Sequence, residues 1–540
     1  MTSCIIEKRR ENMRKGALLK KVSALGLSLM MAASLAGCGQ STDAGKSSAV
    51  NEQKAAKGDP VEISIAIWNA DQALAGDDVM TAIEEKLNIK IKPMNITWDD
   101  YTQKIPLWAS SGSLPDVFVG PFRTTSTYPQ WANQGVIKAI PENLDAYSNL
   151  KTYLEGQAAQ EAKLDGTLYC IPRQTYPSQE WTSLDRVIVY RWDLAQKAGI
   201  EKEPETWEEF QTMMKAIIKN DPDGTGIGGM TADGKYQPGG AIMPYASPIV
   251  AENGTSFRWV KAEDGLYKPA YFEEDVVAGF QLARDMYDNG VIEKDIALVA
   301  GSSGHEKFLQ GKSAAIAVAN GFSGTYESLG RYWEDVHETE YLDDVRALDL
   351  MPDKNGNKSY SMFSYAWSES YINAEVSEEK LDKILQLYDY LLSDEGAFLS
   401  TYGPEGNLYD MVDGKVEMHE QHKLVKDVFP SCDALGVLAR WNPSTYDERF
   451  VSMYPEEYQP IDKKRVEQAA AVEIPEYNPE CTQLVMELGF DFSINFDEDF
   501  LNIMTGQTPV EQMWAELCEQ YEAKGLTDMI DQVNEALAEK

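Results

Sequence analysis

Histidine and cysteine are scarce in this chain, four and six among 540 residues. Zinc-ligand spacings and CxxC pairs are absent, and neither GxSxG nor HExxH occurs, so zinc-ribbon, dithiol and those two hydrolase chemistries have no footing. Cys4 and Cys38 sit in the first 38 residues, while Cys170, Cys432, Cys481 and Cys518 are widely spread. Four cysteines permit two disulfides, but Cys518 falls on an apolar helical face, and buried thiols are an equal alternative. Beyond residue 38 no apolar run approaches eighteen residues, which excludes a helical membrane span from the body of the chain. Positive charge is also short: 49 Lys and Arg stand against 87 Asp and Glu, a formal net charge of −38. So acidic a surface repels phosphate backbones and anionic headgroups, so neither nucleic acid nor a peripheral basic membrane patch is expected.

What is present begins with a leader. Lys8, Arg9, Arg10, Arg14, Lys15, Lys20 and Lys21 precede the apolar stretch from Val22 to Leu35, a basic segment and short hydrophobic core of the secretory kind. Met13 is an alternative start that shortens the basic segment. Leu35-Ala36-Gly37-Cys38 resembles the lipobox of bacterial lipoproteins, which implies cleavage before Cys38 and acylation of its thiol; an ordinary cleavage site with an incidental cysteine is the alternative. Two acyl chains, at ~0.8 kcal/mol per buried methylene, anchor a protein stably where one does not. Residues 1–38 carry seven basic and two acidic side chains, so the remainder has a formal net charge of −43. Residues 39–60, GQSTDAGKSSAVNEQKAAKGDP, hold no aromatic residue and read as a flexible tether.

Folded structure is expected from Val61, where Val61, Ile63, Ile65 and Ile67 alternate as a strand. Val79, Ile83 and Leu87 follow at helical spacing, then strand candidates at 89–91 and 117–119, the opening of a parallel α/β sheet. Thr206 and Glu209 form a capping box ahead of an apolar helical face. Thr508, Pro509 and Glu511 repeat the pattern with proline at the first helical position, and Gly525 ends that helix. Leu381, Ile384, Leu385, Tyr388, Leu391 and Leu392 mark another amphipathic helix. With 43% hydrophobic residues the chain can fill a large core divided over two or more lobes.

A series of stretches in order, LWASSGSLPDVFVG (107–120), WANQGVIKAI (131–140), DGTLYCIPR (165–173), YRWDLAQKAGIEKEPETWEEF (190–210), FLQGKSAAIAVANG (308–321) and YDYLLSDEGAFLSTYGPEGNLYD (388–410), resembles the extracellular solute-binding proteins of ABC importers. The likeness is to the carbohydrate-type members, LplA-like lipoproteins among them. It implies a two-lobed α/β fold of the periplasmic-binding-protein type II, with a hinge and an interlobe cleft. It places one lobe at 61–175 and 352–430 and the other at 176–351 and 431–540, with LDLMPDKNGN (348–357 within it) as a return crossing. It further implies a monomer on the outer face of the cell membrane, held by its N-terminal lipid, that binds an oligosaccharide and serves an ABC permease without cofactor or catalysis.

Open parallel sheets bind ligands beyond their carboxyl edges, so residues after strand ends are the site candidates. They are Trp68 and Asn69, Phe122 and Arg123, Trp181 and Arg186 after the first crossing, and Tyr365 and Trp367 after the return. Glu405 in its Gly-Pro-Glu-Gly loop and Trp441 complete the set. Sugars offer a flat C–H face to an indole and hydroxyls to directed polar groups, and 12 Trp with 27 Tyr suit such a cleft. For each candidate, packing beneath a loop is the competing reading.

Two motifs are decoys. Gly224 to Gly229 fits GxGxxG but ends a helical segment instead of opening one. Asp221, Asp223 and Thr225 resemble the first ligands of a calcium loop, yet the later acidic ligands are missing, and a structural turn is the favoured reading. His419 and His422 lack a third ligand for a metal. The rival classes are a secreted glycosidase with a carboxylate pair, and a binding lipoprotein for peptide or one linked to a sensor.

Overall fold

The computed structural model describes residues 58–539 apart from 69, 75, 98–99, 235–236, 253, 255–256, 365, 421–422, 441–442 and 446. The leader, Cys38 and nearly all of the tether lie outside the described residues. Lys57–Lys540 forms one compact unit.

The expected opening strand is β1 (Val61–Trp68), followed by the helix Asp78–Leu87, β2 (Ile89–Ile96), β3 (Val117–Gly120) and β4 (Ile171–Gln174). Alternation rules only the first half of β1; from Ile65 to Trp68 every side chain is buried, as in a strand covered on both faces. Asp116, in the Leu-Pro-Asp-Val stretch, locks this corner: its carboxylate accepts from the Ser64 amide at 2.8 Å and from Lys380 Nζ at 2.8 Å. Lys380 belongs to the helix Glu378–Leu391, whose buried face includes Leu381, Ile384, Leu385, Tyr388 and Leu391, as its periodicity predicts.

The chain then leaves for a second sheet: β5 (Val187–Arg191), β6 (Gly228–Ala232), the hairpin β7 (Trp259–Lys261) and β8 (Tyr267–Pro269), β9 (Ser313–Val318) and β10 (Val345–Ala347). It returns as β11 (Ala366–Ile372), and a late hairpin, β12 (Tyr409–Val412) with β13 (Lys415–Met418), decorates the first half. The first sheet has the order β2-β1-β3-β11-β4 and the second β10-β5-β9-β6. The opening strands pair in parallel as expected, β1 with β2 and with β3, while β11 runs antiparallel to β3 and to β4, so the sheet as a whole is mixed. The reason is directional. A strand arriving from the other lobe enters at the edge where β1, β3 and β4 end, and so runs against them.

Two main cores result. One gathers residues from Ile63 to Ile171 and from Tyr371 to Phe450; the other runs from Ile188 to Met362 and from Ala469 to Val533, with a smaller cluster beside it around Val189, Ile316, Trp333 and Tyr458. The chain is therefore a two-lobed α/β protein that passes from one core to the other after Ile171, between Met362 and Tyr371, and after Phe450. Arg465, on the helix Gln459–Ala470 just past the third passage, donates to the carbonyls of Ser183 (2.8 Å), Arg186 (3.1 Å) and Leu348 (2.8 Å). One guanidinium thus ties the segment at 183–186 and Leu348 to the helix that follows the third passage.

The capping box at Thr206 and Glu209 forms as expected. The one at Thr508 does not. Pro509 is the cap residue, with extended ψ, and the helix begins at Val510; the Thr508 carbonyl is taken by Arg284 Nη1 at 3.0 Å, which holds this segment outside the helix. Among the described residues no helix is long and apolar enough to cross a membrane.

Candidate functional site

The carboxyl ends of β1, β3 and β4 and the start of β11 share the edge of the first sheet that faces the second lobe. β11 is the unusual strand. Its residues are buried except Trp367, which keeps 39% of its surface exposed. A bulge produces this: Ala366 pairs with Gln174 but Glu369 with Pro172, one extra residue on β11, and Ser368 takes a left-handed φ of 64°. The bulge breaks the ladder at Trp367, and side chains replace it. The Trp367 amide donates to Thr175 Oγ1 at 3.2 Å and its carbonyl accepts from Arg173 Nε at 3.0 Å. Ser368 Oγ is buried and makes no hydrogen bond to protein.

Around this indole the edge is built of rings and charge. Trp68 stacks on Trp367 with centroids 5.5 Å apart and 17° between planes, and Tyr101 meets Trp68 edge-on at 5.5 Å. The Arg173 guanidinium lies 5.2 Å from the Trp367 ring centre. Asp433, in the first turn of the helix Ser431–Leu438, is open to solvent, yet the walls around it displace enough water to raise its pKa; Glu327 adds to the rise, while Lys426 and Arg173 oppose it. Its helix is fixed from both ends: Ser431 donates to Asp77 at 2.6 and 3.0 Å, and the Leu438 carbonyl accepts from Ser370 at 3.4 Å.

The second lobe answers across the gap. Glu327 pairs with Lys426 and accepts from Tyr454 Oη at 3.1 Å, and Arg331 bonds Asp427 at 2.9 Å. On another side of the gap Ser126 bonds Asp491 at 2.6 Å. There Gly254 presses so close to the Thr124 carbonyl that a Cβ would sit 1.9 Å from it.

The structure brings Trp68 and Trp367 together and treats the other candidates differently. Phe122 is 6% exposed and folds back over Gly120 against Trp131 and Tyr371, so its ring serves the core. Arg123 is committed to the buried Glu369 at 3.1 Å and to Ser364 at 3.3 Å; burial opposes its charge, but Glu369 holds its pKa high. Trp181 packs against Tyr176, Leu184 and Val466 in the first passage. Arg186 pairs with Asp185 at 2.7 Å and lies over Phe363 at 4.8 Å, lining a recess of only about 20 Å³, room for a water but not a sugar. Glu405 accepts from the Met411 amide at 3.2 Å and so holds the β12–β13 hairpin. Asn69, Tyr365 and Trp441 lie outside the described residues.

Asp221 accepts from the amides of Thr225, Gly226 and Ile227, Thr225 donates to the Gly311 carbonyl, and Asp223 pairs with Lys197. The loop's oxygens are thus engaged in holding a turn, and the amides lower the Asp221 pKa. His419 sits between Asp410 and the Asn407 carbonyl, which raise its pKa; His422 lies outside the described residues. No cluster of three metal-ligating side chains occurs among the described residues.

Sequence reasoning passed over Arg173, Asp433, Tyr101, Tyr454 and Glu327. Arg173 was within reach, since it is the last residue of DGTLYCIPR and stands near a strand end. Asp433 carries no such signal, because its place depends on a helix 260 residues after Arg173 whose ends are tied to Asp77 and to Ser370.

The family model of bacterial extracellular solute-binding proteins matches residues 78–406. The lipoprotein LipO of Bacillus subtilis is 22% identical over 409 residues, 73% of this chain and 74% of LipO. The polygalacturonan/rhamnogalacturonan-binding protein YtcQ of the same organism is 24% identical over 425 residues, 75% and 77% of the two chains. Among solved structures, the substrate-binding protein FusA of Streptococcus pneumoniae in complex with kestose superimposes with a TM-score of 0.66 at 15% identity, over 89% of this chain and 100% of FusA. At that identity the likeness speaks for the fold alone.

Proposed function

This chain belongs to the bacterial extracellular solute-binding proteins, a family of binding proteins and not of enzymes, and from that premise we propose that it captures an oligosaccharide between its lobes and delivers it to an ABC permease. The observation that carries the reading is Trp367, an indole turned out of an otherwise buried strand and backed by Trp68 at the sheet edge facing the second lobe. Such a surface suits the C–H face of a sugar ring, and charged groups beside it suit hydroxyls. The name of YtcQ points the same way.

We place the first lobe at 61–175 with 364–452 and the second at 176–363 with 453–540. Relative to the sequence-based boundaries, Tyr360 and Met362 move to the second lobe, with whose core they pack, and Phe450 to the first. Closure follows from ligand contacts made with both lobes: a ligand that binds open and closed forms equally shifts nothing, and a 10⁴-fold preference of roughly 5.5 kcal/mol turns a mostly open population mostly closed. Cys38, acylated, moors the protein beside its permease, and the tether keeps the body at high effective concentration there. The ligand is released intact.

Thermal-shift screening against sugar and peptide libraries tests the cargo, since a specific ligand raises the melting temperature by mass action. A shift with peptides and none with any sugar contradicts the carbohydrate reading. Mass spectrometry of the mature N-terminus tests the anchor: a diacylated Cys38 is expected, and an unmodified N-terminus elsewhere refutes it.

A further inference from the structure

We propose that the recess beside Arg465 binds a monovalent anion of halide size, chloride being the common one, where the first passage between lobes meets the helix that follows the third. The recess, about 20 Å³, has Arg186, Gly240, Asp349, Ser359 and Arg465 in its wall. Its charges leave one cation over. Arg186 Nη1 donates to the carbonyl and to the carboxylate of Asp185, both at 2.7 Å, and Asp349 pairs with Lys464 at 2.8 Å. Arg465 has only uncharged partners, the three backbone carbonyls to which it donates. Asp462, one turn before it on the same helix, accepts instead from the amides of Phe322 at 2.7 Å and Ser323 at 2.9 Å. Arg465 is crowded enough that burial lowers its pKa in spite of Asp462 and Asp349. An anion of single charge offsets that cation, whereas a divalent one brings a surplus charge against Asp349.

Donors are at hand as well as charge. A guanidinium carries five N–H groups, and Arg465 spends one from each of its three nitrogens on a carbonyl, so its two terminal nitrogens keep one N–H apiece. Ser359 is 7% exposed, and its hydroxyl makes no hydrogen bond to any of the described residues. Trp207, also in the wall, has its indole N–H buried without an acceptor. A halide accepts from several donors at once and asks for none in return, while a water fills the same space without the charge. It is little larger than a water, so it fits where a phosphate or a sugar does not. Gly240 belongs to the shape of this wall: a Cβ there would sit 2.7 Å from Arg186 Cγ and displace it. The anion thus offsets the cost of a cation that ties segment 183–186 and Leu348 to the helix Gln459–Ala470.

The test is chlorine NMR on the full chain in a non-ionic detergent, with bromide diffraction as its partner. Chloride exchanging with the recess is expected to broaden the free-ion line saturably, bromide to displace it, and gluconate to leave it unchanged. The melting temperature is expected to stand higher in sodium chloride than in sodium gluconate of equal ionic strength, because a ligand of the folded state stabilises it by mass action. Crystals soaked in sodium bromide should show an anomalous peak in the recess, within hydrogen-bond reach of Arg465 and Ser359. Arg465→Met is expected to lose at least about tenfold in chloride affinity. Ser359→Ala removes no side-chain bond within the protein and is expected to lose about three- to tenfold, so it decides the matter should the Arg465 variant fail to fold. Absence of saturable broadening, or unchanged affinity in either folded variant, overturns the inference. A bromide peak without any response in solution marks an adventitious ion only and overturns it as well. Each of these outcomes leaves the sugar-receptor reading where it stands.

Discussion

At the residue scale Asp433 shows what folding costs a carboxyl that loses part of its hydration. A carboxyl whose pKa rises on folding binds its proton more readily in the native state, so stability falls as pH climbs from 3.8 through the raised value, and the deficit persists above it. Asp433→Asn is therefore expected to be more stable than the wild type at pH 7, with the difference closing below the ordinary aspartate range; urea melts at pH 7 and pH 3.5 check it, and a variant less stable at both contradicts it. Arg465 is the opposite case. Burial pulls its pKa down to about 10, yet it donates to three backbone carbonyls. Arg465→Met leaves three polar groups stranded at roughly 1–3 kcal/mol each, so a loss of about 3 kcal/mol or more is expected in chemical denaturation. Such residues were hard to read in advance. The strand-end rule picks out Trp68, Trp367, Phe122 and Arg123 alike; the structure sets Trp68, the last residue of β1, against Trp367, the second of β11, whereas Phe122 and Arg123 are turned inward beside Gly120 and Glu369, partners that only the fold supplies.

At the scale of elements, the period-2 and 3.6-residue patterns placed β1, the helix Asp78–Leu87 and the helix Glu378–Leu391 because each buries a face that the sequence spells out. The bulge in β11 was not legible. Nothing local in FSYAWSES tells that Ser368 turns left-handed. That turn is the device that exposes Trp367, and it makes a sharp prediction. Ser368→Gly removes a conformational cost of about 1–2 kcal/mol and should keep both stability and ligand binding. Ser368→Val cannot adopt this φ without strain and tends to restore regular pairing, which would turn Trp367 to the other face. Loss of sugar binding in the valine variant alone, measured by calorimetry on a protein that still melts cooperatively, is the expected outcome; equal binding by both variants refutes the bulge's role.

At the scale of the whole molecule, contacts that join the two lobes can be tuned without touching either core. Lys426–Glu327 and Arg331–Asp427 exchange charge across one side of the gap, and Gly254 meets the Thr124 carbonyl on another. Gly254 has a φ of 79°, so an alanine carries some local strain, but its larger effect is a wedge, since the methyl group would overlap the other lobe's backbone. Gly254→Ala is expected to retain most of its thermal stability while losing ligand affinity by tenfold or more, because closure is hindered and the lobes are not. The most direct test of the account is small-angle scattering on residues 57–540 with and without a saturating neutral oligosaccharide, occupancy being verified by calorimetry in the same buffer. A smaller radius of gyration in the occupied wild type, and little change in Gly254→Ala, is the predicted result; an occupied wild type with the same scattering profile as the empty protein would contradict it.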